Sequence, residues 1–271
     1  VKKLNTTDKI EFLKKKINEK KKLLVAFSGG VDSTVVAKLA VDVLGENSRA
    51  LIVNSETYSS SELGNAENVA RELGIKYVVL KFSELDNPEF VANPPDRCYI
   101  CKQEFAKILR SYADEYDIST IADGVITSDF NEHRPGIKAV DEAGFWHPLV
   151  EAGVNKQNVR DIAKELGLSI HEKPSSACLS SRIPYGEKIS IDKLHRIEKS
   201  EAFIRSLGFD QVRVRNYGNK LARIEVYKAE IEILLKPDIL DKITRKLKDI
   251  GFNYITVDLE GYRSGSMDEV L

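Results

Sequence analysis

An apolar run, Leu23-Leu24-Val25-Ala26-Phe27, passes through Ser28-Gly29-Gly30-Val31-Asp32-Ser33 into a helical pattern carrying Val35, Val36, Leu39, Ala40 and Val43. A strand that turns through two glycines into a helix aims several backbone N–H groups, and the positive end of the helix, at one point. Such a point binds phosphate. Glycine lets the backbone approach the anion closely, and the Ser28 and Ser33 hydroxyls add donors. The loop is not of the Walker type, because no Gly-Lys-Ser/Thr closes it. Spacing alone therefore points to a polyphosphate.

The surrounding pattern alternates. Residues 9–21 read as an amphipathic helix, with Asp8 and Glu11 spaced as a capping pair. A strand is expected at 50–53, then a helix opened by the Ser59/Glu62 capping box, a strand at 75–80 and another at 118–122. A short strand near 145–149 should complete the sheet, and Asn155 should cap a helix over 156–166. Strands alternating with helices predict an α/β fold, a parallel sheet with helices on both faces, whose ligand lies outside the strands' carboxyl ends. Asn54 and Asp123-Gly124 leave their strands at that edge, followed by a polar stretch with Asp129, Asn131, Glu132, His133 and Arg134. Residues 82–97 read as a long, proline-marked loop of the functional or mobile kind, and 169–188 as a linker. Beyond it a smaller α+β domain is expected, with a helix at 191–207, strands at 211–216, 221–226 and 254–259, and a helical segment broken at Pro237. A repeated helix–Gly–Phe–strand device suggests two similar halves, and the domains are drawn as 1–176 and 177–271.

Charge narrows the partners. The formal net charge is −1, without the basic excess expected of a protein that neutralises a long nucleic-acid backbone. The lysines at 14–16 and 20–22 read as a solvated helix face. No apolar run approaches the ~20 residues needed to span a bilayer, and no signal-peptide pattern opens the chain, so it reads as cytoplasmic.

The stretch from the apolar strand through SGGVDS into the helix resembles the PP-loop family of ATP pyrophosphatases, which cradle the pyrophosphate cleaved from ATP as AMP passes to a substrate oxygen. The resemblance implies that Ser28, Gly29, Gly30, Asp32 and Ser33 hold the phosphates of ATP, with Mg²⁺ shielding their charge. Asn54 and Gly124 then belong to the nucleotide pocket.

There are three cysteines, an odd number that argues against a disulfide framework. Cys98 and Cys101 form a CxxC at the start of a helical pattern, and Cys178 lies in the second irregular stretch. Three soft thiolates suit an iron–sulfur cluster with one open iron, or a zinc site needing a fourth ligand. The CxxC alone could be a redox dithiol, and buried structural cysteines are the plain alternative. A carboxylate oxygen leaves poorly until it is adenylated, after which sulfur can displace AMP. A polyphosphate loop and a set of thiols in one chain therefore suit ATP-activated thiolation.

Four segments carry a narrower resemblance: Asp123-Gly124 through Arg134-Pro135-Gly136, Cys178 through Ser180-Ser181-Arg182-Ile183-Pro184-Tyr185-Gly186, Val212-Arg213-Val214-Arg215, and Gly261-Tyr262-Arg263-Ser264-Gly265. In these the chain resembles LarE, the sulfur transferases that help to build the nickel-pincer nucleotide of lactate racemase. The resemblance implies adenylation of each carboxylate of pyridinium-3,5-biscarboxylic acid mononucleotide and replacement of AMP by sulfur. Some members of the family sacrifice the cysteine at the position of Cys178, and others hold a 4Fe–4S cluster on three cysteines. With Cys98, Cys101 and Cys178 present, this chain matches the cluster type, which makes these three both the metal ligands and the catalytic set.

Arg213 and Arg215 flank Val214 on a strand pattern and so face one way, a suitable seat for a phosphate monoester or an exposed face paired with acids such as Glu225. Glu201 falls on an apolar helix stripe between Ile197 and Ile204, where a salt bridge to one of these arginines would hold it. The LarE resemblance implies that Arg182, Glu201, Arg213 and Arg215 surround the mononucleotide. His147 and His195 read as structural, and no histidine is assigned a proton-transfer role. The expected partners are the small mononucleotide, sulfide or another sulfur donor and further copies of the chain, with neither membrane nor nucleic acid. Competing readings are a tRNA thiolase of the 2-thiocytidine type, an ammonia-using amide ligase and a non-enzymatic nucleotide sensor.

Overall fold

The computed structural model describes residues 5–131, 134–173, 177–218 and 220–270. Its contacts divide the chain into two compact units, Val1–Phe82 with Cys98–Ser176, and Ser83–Arg97 with Ala177–Leu271.

The first unit is built on a parallel sheet of order β3-β2-β1-β4, with β1 Leu23–Ala26, β2 Ser48–Asn54, β3 Tyr77–Lys81 and β4 Ile121–Ala122. All four residues of β1 are buried, as a strand covered on both faces requires. Leu23 and Val25 point into one core with the helices Thr6–Asn18, Val31–Leu44 and Lys156–Glu165. Leu24 and Ala26 point into the other, with Leu109, Ala113 and Val140 from the helices Arg97–Glu115 and Pro135–Glu142. A single strand thus anchors both layers through its period of two. The chain leaves β1 toward β2 on one side while β4 pairs on the other. The crevice at that reversal is the place where ligands bind in such sheets.

Three local expectations are corrected. The strand expected near 145–149 is a single bridge, Ala122 to Trp146, because Pro148 opens a helical turn, Pro148–Glu151. The first helix starts at Thr6 and is capped by Asn5 with Asp8, each side chain bonded to the other's backbone N–H, in place of Asp8 with Glu11. The stretch 82–97 is not structureless. It contains a 3₁₀ turn, Glu84–Asp86, and a one-turn helix, Pro88–Val91, whose first N–H groups bond to Asn87.

In the second unit β5 Arg213–Tyr217 pairs antiparallel with β6 Leu221–Glu225, which pairs parallel with β7 Tyr254–Val257. The helices Ile191–Ser206 and Pro237–Ile250 each lead through Gly-Phe toward an edge strand, and both contribute to one core with Ile204, Val214, Ile224, Leu247 and Phe252. Leu247 is fully buried there. Leu247→Ala is expected to cost about 3 kcal/mol, the transfer loss plus the cavity, read from urea unfolding.

Candidate active site

Gly29 has φ of +65°, and a Cβ there would lie 2.6 Å from Ala66 Cα. Only glycine lets the loop turn this tightly against the helix Ser60–Glu72. Gly30 then serves as the N-cap of Val31–Leu44 without any side-chain cap, which leaves the first N–H groups of that helix for an incoming anion. Ser33 Oγ accepts from the Ser28 N–H at 3.3 Å and lies 3.2 Å from Ser28 Oγ, so the two serines brace the loop from within. The Tyr58 hydroxyl donates to the Ser28 carbonyl at 2.7 Å. Burial pushes the Tyr58 pKa up, as does Glu62, keeping the phenol in its donor form.

Two charged groups stand at this loop. The Asp32 carboxylate makes no hydrogen bond among the described residues, and burial followed by repulsion from Asp129 pushes its pKa up to about 6. Lys173 places its ammonium 3.3 Å from the Gly29 carbonyl oxygen and 2.8 Å from Glu62. Lys173 was not legible as a site residue, because it lies 144 positions along the chain from Gly29 in a stretch without local pattern. Only the fold brings it there.

The loop after β4 closes the other side. A Cβ on Gly124 would lie 2.6 Å from the Ser33 N, so the two backbones touch. His147 holds this loop in place. Its Nδ1 is 2.7 Å from Asp123 Oδ1, and its Nε2 is 2.7 Å from Asp141 Oδ1. Carboxylate oxygens only accept, so both ring nitrogens carry protons and the ring is an imidazolium. Burial lowers its pKa, but the hydrogen bonds and charges of Asp123 and Asp141 outweigh that and raise it. Of the expected nucleotide residues, Ser28, Gly29, Gly30, Asp32, Ser33 and Gly124 meet at this crevice. Asn54 ends β2 at the same edge, where its carbonyl accepts from the Phe82 N–H at 3.0 Å. Glu132 and His133 lie outside the described residues.

The cysteines are divided between the units. Cys98 and Cys101 are one turn apart on the helix Arg97–Glu115, half-buried, and that helix is tied to Pro135–Glu142 by a 2.6 Å bond from the Tyr99 hydroxyl to Glu142. Cys178 is exposed in the second unit, with its sulfur 2.9 Å from Ser180 Oγ. None of the three is in a disulfide. Among the described residues no three His, Cys, Asp or Glu side chains gather as a metal site.

The second unit holds a buried ionic cluster in which Arg182, Arg213 and Arg215 face Glu201 and Glu225. Glu201 pairs with Arg182 at 2.8 and 3.2 Å and with Arg205 at 2.8 Å, and accepts from the Val214 N–H at 3.1 Å. Its salt-bridge partners are therefore Arg182 and Arg205, where Arg213 or Arg215 had been expected. Arg182 also reaches the carbonyls of Ala177 and Cys178, at 2.8 and 2.9 Å, and so shapes the turn that carries the exposed thiol. Arg215 is bidentate to Glu225 at 2.9 and 2.6 Å and bonds to Ser181 and Ser266. Arg213 differs: among the described residues its guanidinium bonds only its neighbour Val212's carbonyl, at 2.9 Å, and lies over the Tyr262 ring, 5.3 Å from its centre. Burial and the Arg182 charge push its pKa down to about 10. The cluster thus carries an unmatched cation with donors to spare.

Residues 5–199 match the family model described as NAD synthase. The chain is 40% identical over 94% of its length to the pyridinium-3,5-bisthiocarboxylic acid mononucleotide synthase of Lactiplantibacillus plantarum, covering 92% of that protein. It belongs to the LarE family. It is an ATP-dependent sulfurtransferase with the PP-loop fold. An uncharacterized protein of Synechocystis sp. is 42% identical over 97% of this chain and 98% of its own, and one of Methanocaldococcus jannaschii is 32% identical over 93% and 96%. Among the described residues no helix is long and apolar enough to cross a membrane.

Two pH dependences follow for this LarE-family chain. Burial would raise the Glu201 pKa, but Arg182 and the neighbouring arginines hold it down to about 2, against 4.5 in the unfolded chain. Its contribution is therefore complete above pH 4.5 and lost as pH falls toward 2. Glu201→Gln should cost about 3–5 kcal/mol at pH 7, and the difference should shrink below pH 4.5 in urea titrations. His147 has the opposite sign. Its raised pKa gives stability that is present below 6.5 and lost as pH rises through the folded value, so His147→Asn should be more damaging below pH 6.5 than above the folded value.

Proposed function

We propose that the chain converts pyridinium-3,5-biscarboxylic acid mononucleotide into the bisthiocarboxylic acid mononucleotide. A substrate carboxylate oxygen attacks the α-phosphorus of ATP, pyrophosphate leaves, and an acyl-adenylate forms. A sulfur nucleophile then adds to the carbonyl carbon, AMP departs with the bridging oxygen, and a thiocarboxylate remains. The second carboxylate follows the same course.

The chain's residues supply binding and charge. Ser28, Gly29, Gly30 and Ser33 aim N–H and hydroxyl donors at the β- and γ-phosphates, where charge accumulates as pyrophosphate leaves. Lys173, beside the Gly29 carbonyl, would add positive charge there. Asp32, whose side chain has no hydrogen bond among the described residues and whose pKa is pushed up to about 6, is the carboxylate that a divalent cation would relieve, and it suits Mg²⁺ accompanying ATP. Asn54 and Gly124 would wall the adenosine.

The observation that carries the choice of substrate is Arg213. A buried guanidinium without a carboxylate partner among the described residues, beside two saturated arginines, suits a phosphate monoester. Arg182, Glu201 and Arg215 would orient it and the Cys178 turn. The donor set of Cys98, Cys101 and Cys178, all thiols, fits a 4Fe–4S cluster, which when bound would supply an open iron able to carry the transferred sulfide. In this reading Cys178 is retained through turnover.

The test is anaerobic incubation with ATP, Mg²⁺, sulfide and the dicarboxylated mononucleotide, followed by mass spectrometry. Two exchanges of oxygen for sulfur are expected, with Cys178 unchanged in mass. Absence of exchange with pyrophosphate still released, or conversion of Cys178 to dehydroalanine, would refute the substrate or the sulfur source respectively. Arg213→Ala should raise the KM for the mononucleotide by about 10–100-fold while leaving that for ATP unchanged. Asp32→Asn should slow pyrophosphate release by about a hundredfold.

A further inference from the structure

Asn93 is a fully buried polar residue in a left-handed conformation, with φ of +57°. Its side chain has a complete set of partners in the second unit. Nδ2 donates to the carbonyls of Ile183, Pro184 and Glu187, at 3.2, 2.7 and 3.1 Å. Oδ1 accepts from Arg97 Nη1 at 2.8 Å. Backbone bonds run alongside, from the Gly186 N–H to the Asn93 carbonyl and from the Ile189 N–H to the Val91 carbonyl, both at 2.9 Å. Arg97 is itself 3% exposed, and its guanidinium stacks on Tyr185 at 4.4 Å. Tyr185 is anchored in turn by a 2.7 Å bond to Asp268.

This arrangement is costly if stability is its only purpose. A buried arginine normally takes a carboxylate partner, and Arg97 has none among the described residues, while its Nε has no hydrogen-bond partner. An asparagine at positive φ adds local strain. What the arrangement does achieve is a clamp between two segments far apart in sequence. One ends at Arg97, the residue before Cys98, and the other, 183–189, begins just after the Cys178–Arg182 turn.

We propose that Asn93 and Arg97 are positioning residues for sulfur transfer, fixing the root of the CxxC segment to the root of the Cys178 segment. The inference rests on the reading that Cys98, Cys101 and Cys178 act as one set. Asn93 joins the backbones, and Arg97, over the Tyr185 ring and bonded to Asn93 Oδ1, anchors the last residue before Cys98. A planar guanidinium can do both at once, whereas an ammonium cannot stack and bond in a fixed plane.

The test compares Asn93→Ala, Arg97→Ala and the milder Arg97→Lys with the wild-type chain under anaerobic conditions. Iron per chain and the spectrum of the reduced cluster are read after reconstitution with iron and sulfide. The ratio of thiocarboxylate formed to pyrophosphate released is then measured, with ATP affinity as the check on folding. Pyrophosphate release and ATP affinity should persist, while thiocarboxylate formation falls by about a hundredfold, so that adenylation is uncoupled from thiolation. Arg97→Lys keeps the charge and should still be uncoupled. Coupling at the wild-type ratio in Arg97→Lys together with either alanine variant would overturn the proposal. Should the wild-type chain take up no iron yet remain coupled while the variants do not, the cluster reading would fall and the clamp would stand.

Discussion

The candidate nucleotide crevice depends on a backbone-to-backbone contact that leaves no space for a Cβ. Gly29 turns against the helix Ser60–Glu72, and Gly124 lies against the amide of Ser33. These approaches let the loop after β1 and the loop after β4 share one crevice at the reversal of the sheet. From them follow the helix start without a side-chain cap and the half-buried position of Asp32, whose pKa is raised by burial and by Asp129. His147 stabilises the second loop by spanning Asp123 and Asp141, which makes the sheet edge partly an ionic construction.

The second unit solves a different problem. Its sheet must bury charge, and it does so by saturating Arg182 and Arg215 with glutamates and carbonyls. Burying such pairs costs desolvation that only complete hydrogen bonding recovers. Arg213 is the exception within that network: among the described residues its guanidinium bonds a single backbone carbonyl, that of Val212. Asn93 and Arg97 form a second polar knot in the same unit, in which a full set of amide bonds surrounds a cation without an acid.

Much of the architecture could be read along the chain because the signals are local. The strand–SGGVDS–helix transition, the caps at Ser59 and Asn155 and the stop before Pro237 all depend on residues within a few positions of one another. Where a reading depended on the competition between neighbours it went astray. Asn5 took the cap from Asp8 because Asp8 could return the bond from the third helical position. Trp146 formed one bridge in place of a strand because Pro148 began a helical turn.

The candidate site divides along the same line. Residue types and spacing were enough to nominate the phosphate loop, the CxxC and the arginine pair, since each is a short pattern whose chemistry is carried by neighbours. Which arginine keeps open donors, and that Glu201 takes Arg182 and Arg205, could not be read that way. Nor could the arrival of Lys173 beside Gly29, or the four bonds that converge on Asn93. Those outcomes depend on which of many possible partners reaches a buried charge or amide first in space. Burial makes that choice strict, because a polar group away from water must be satisfied by whatever the fold brings to it.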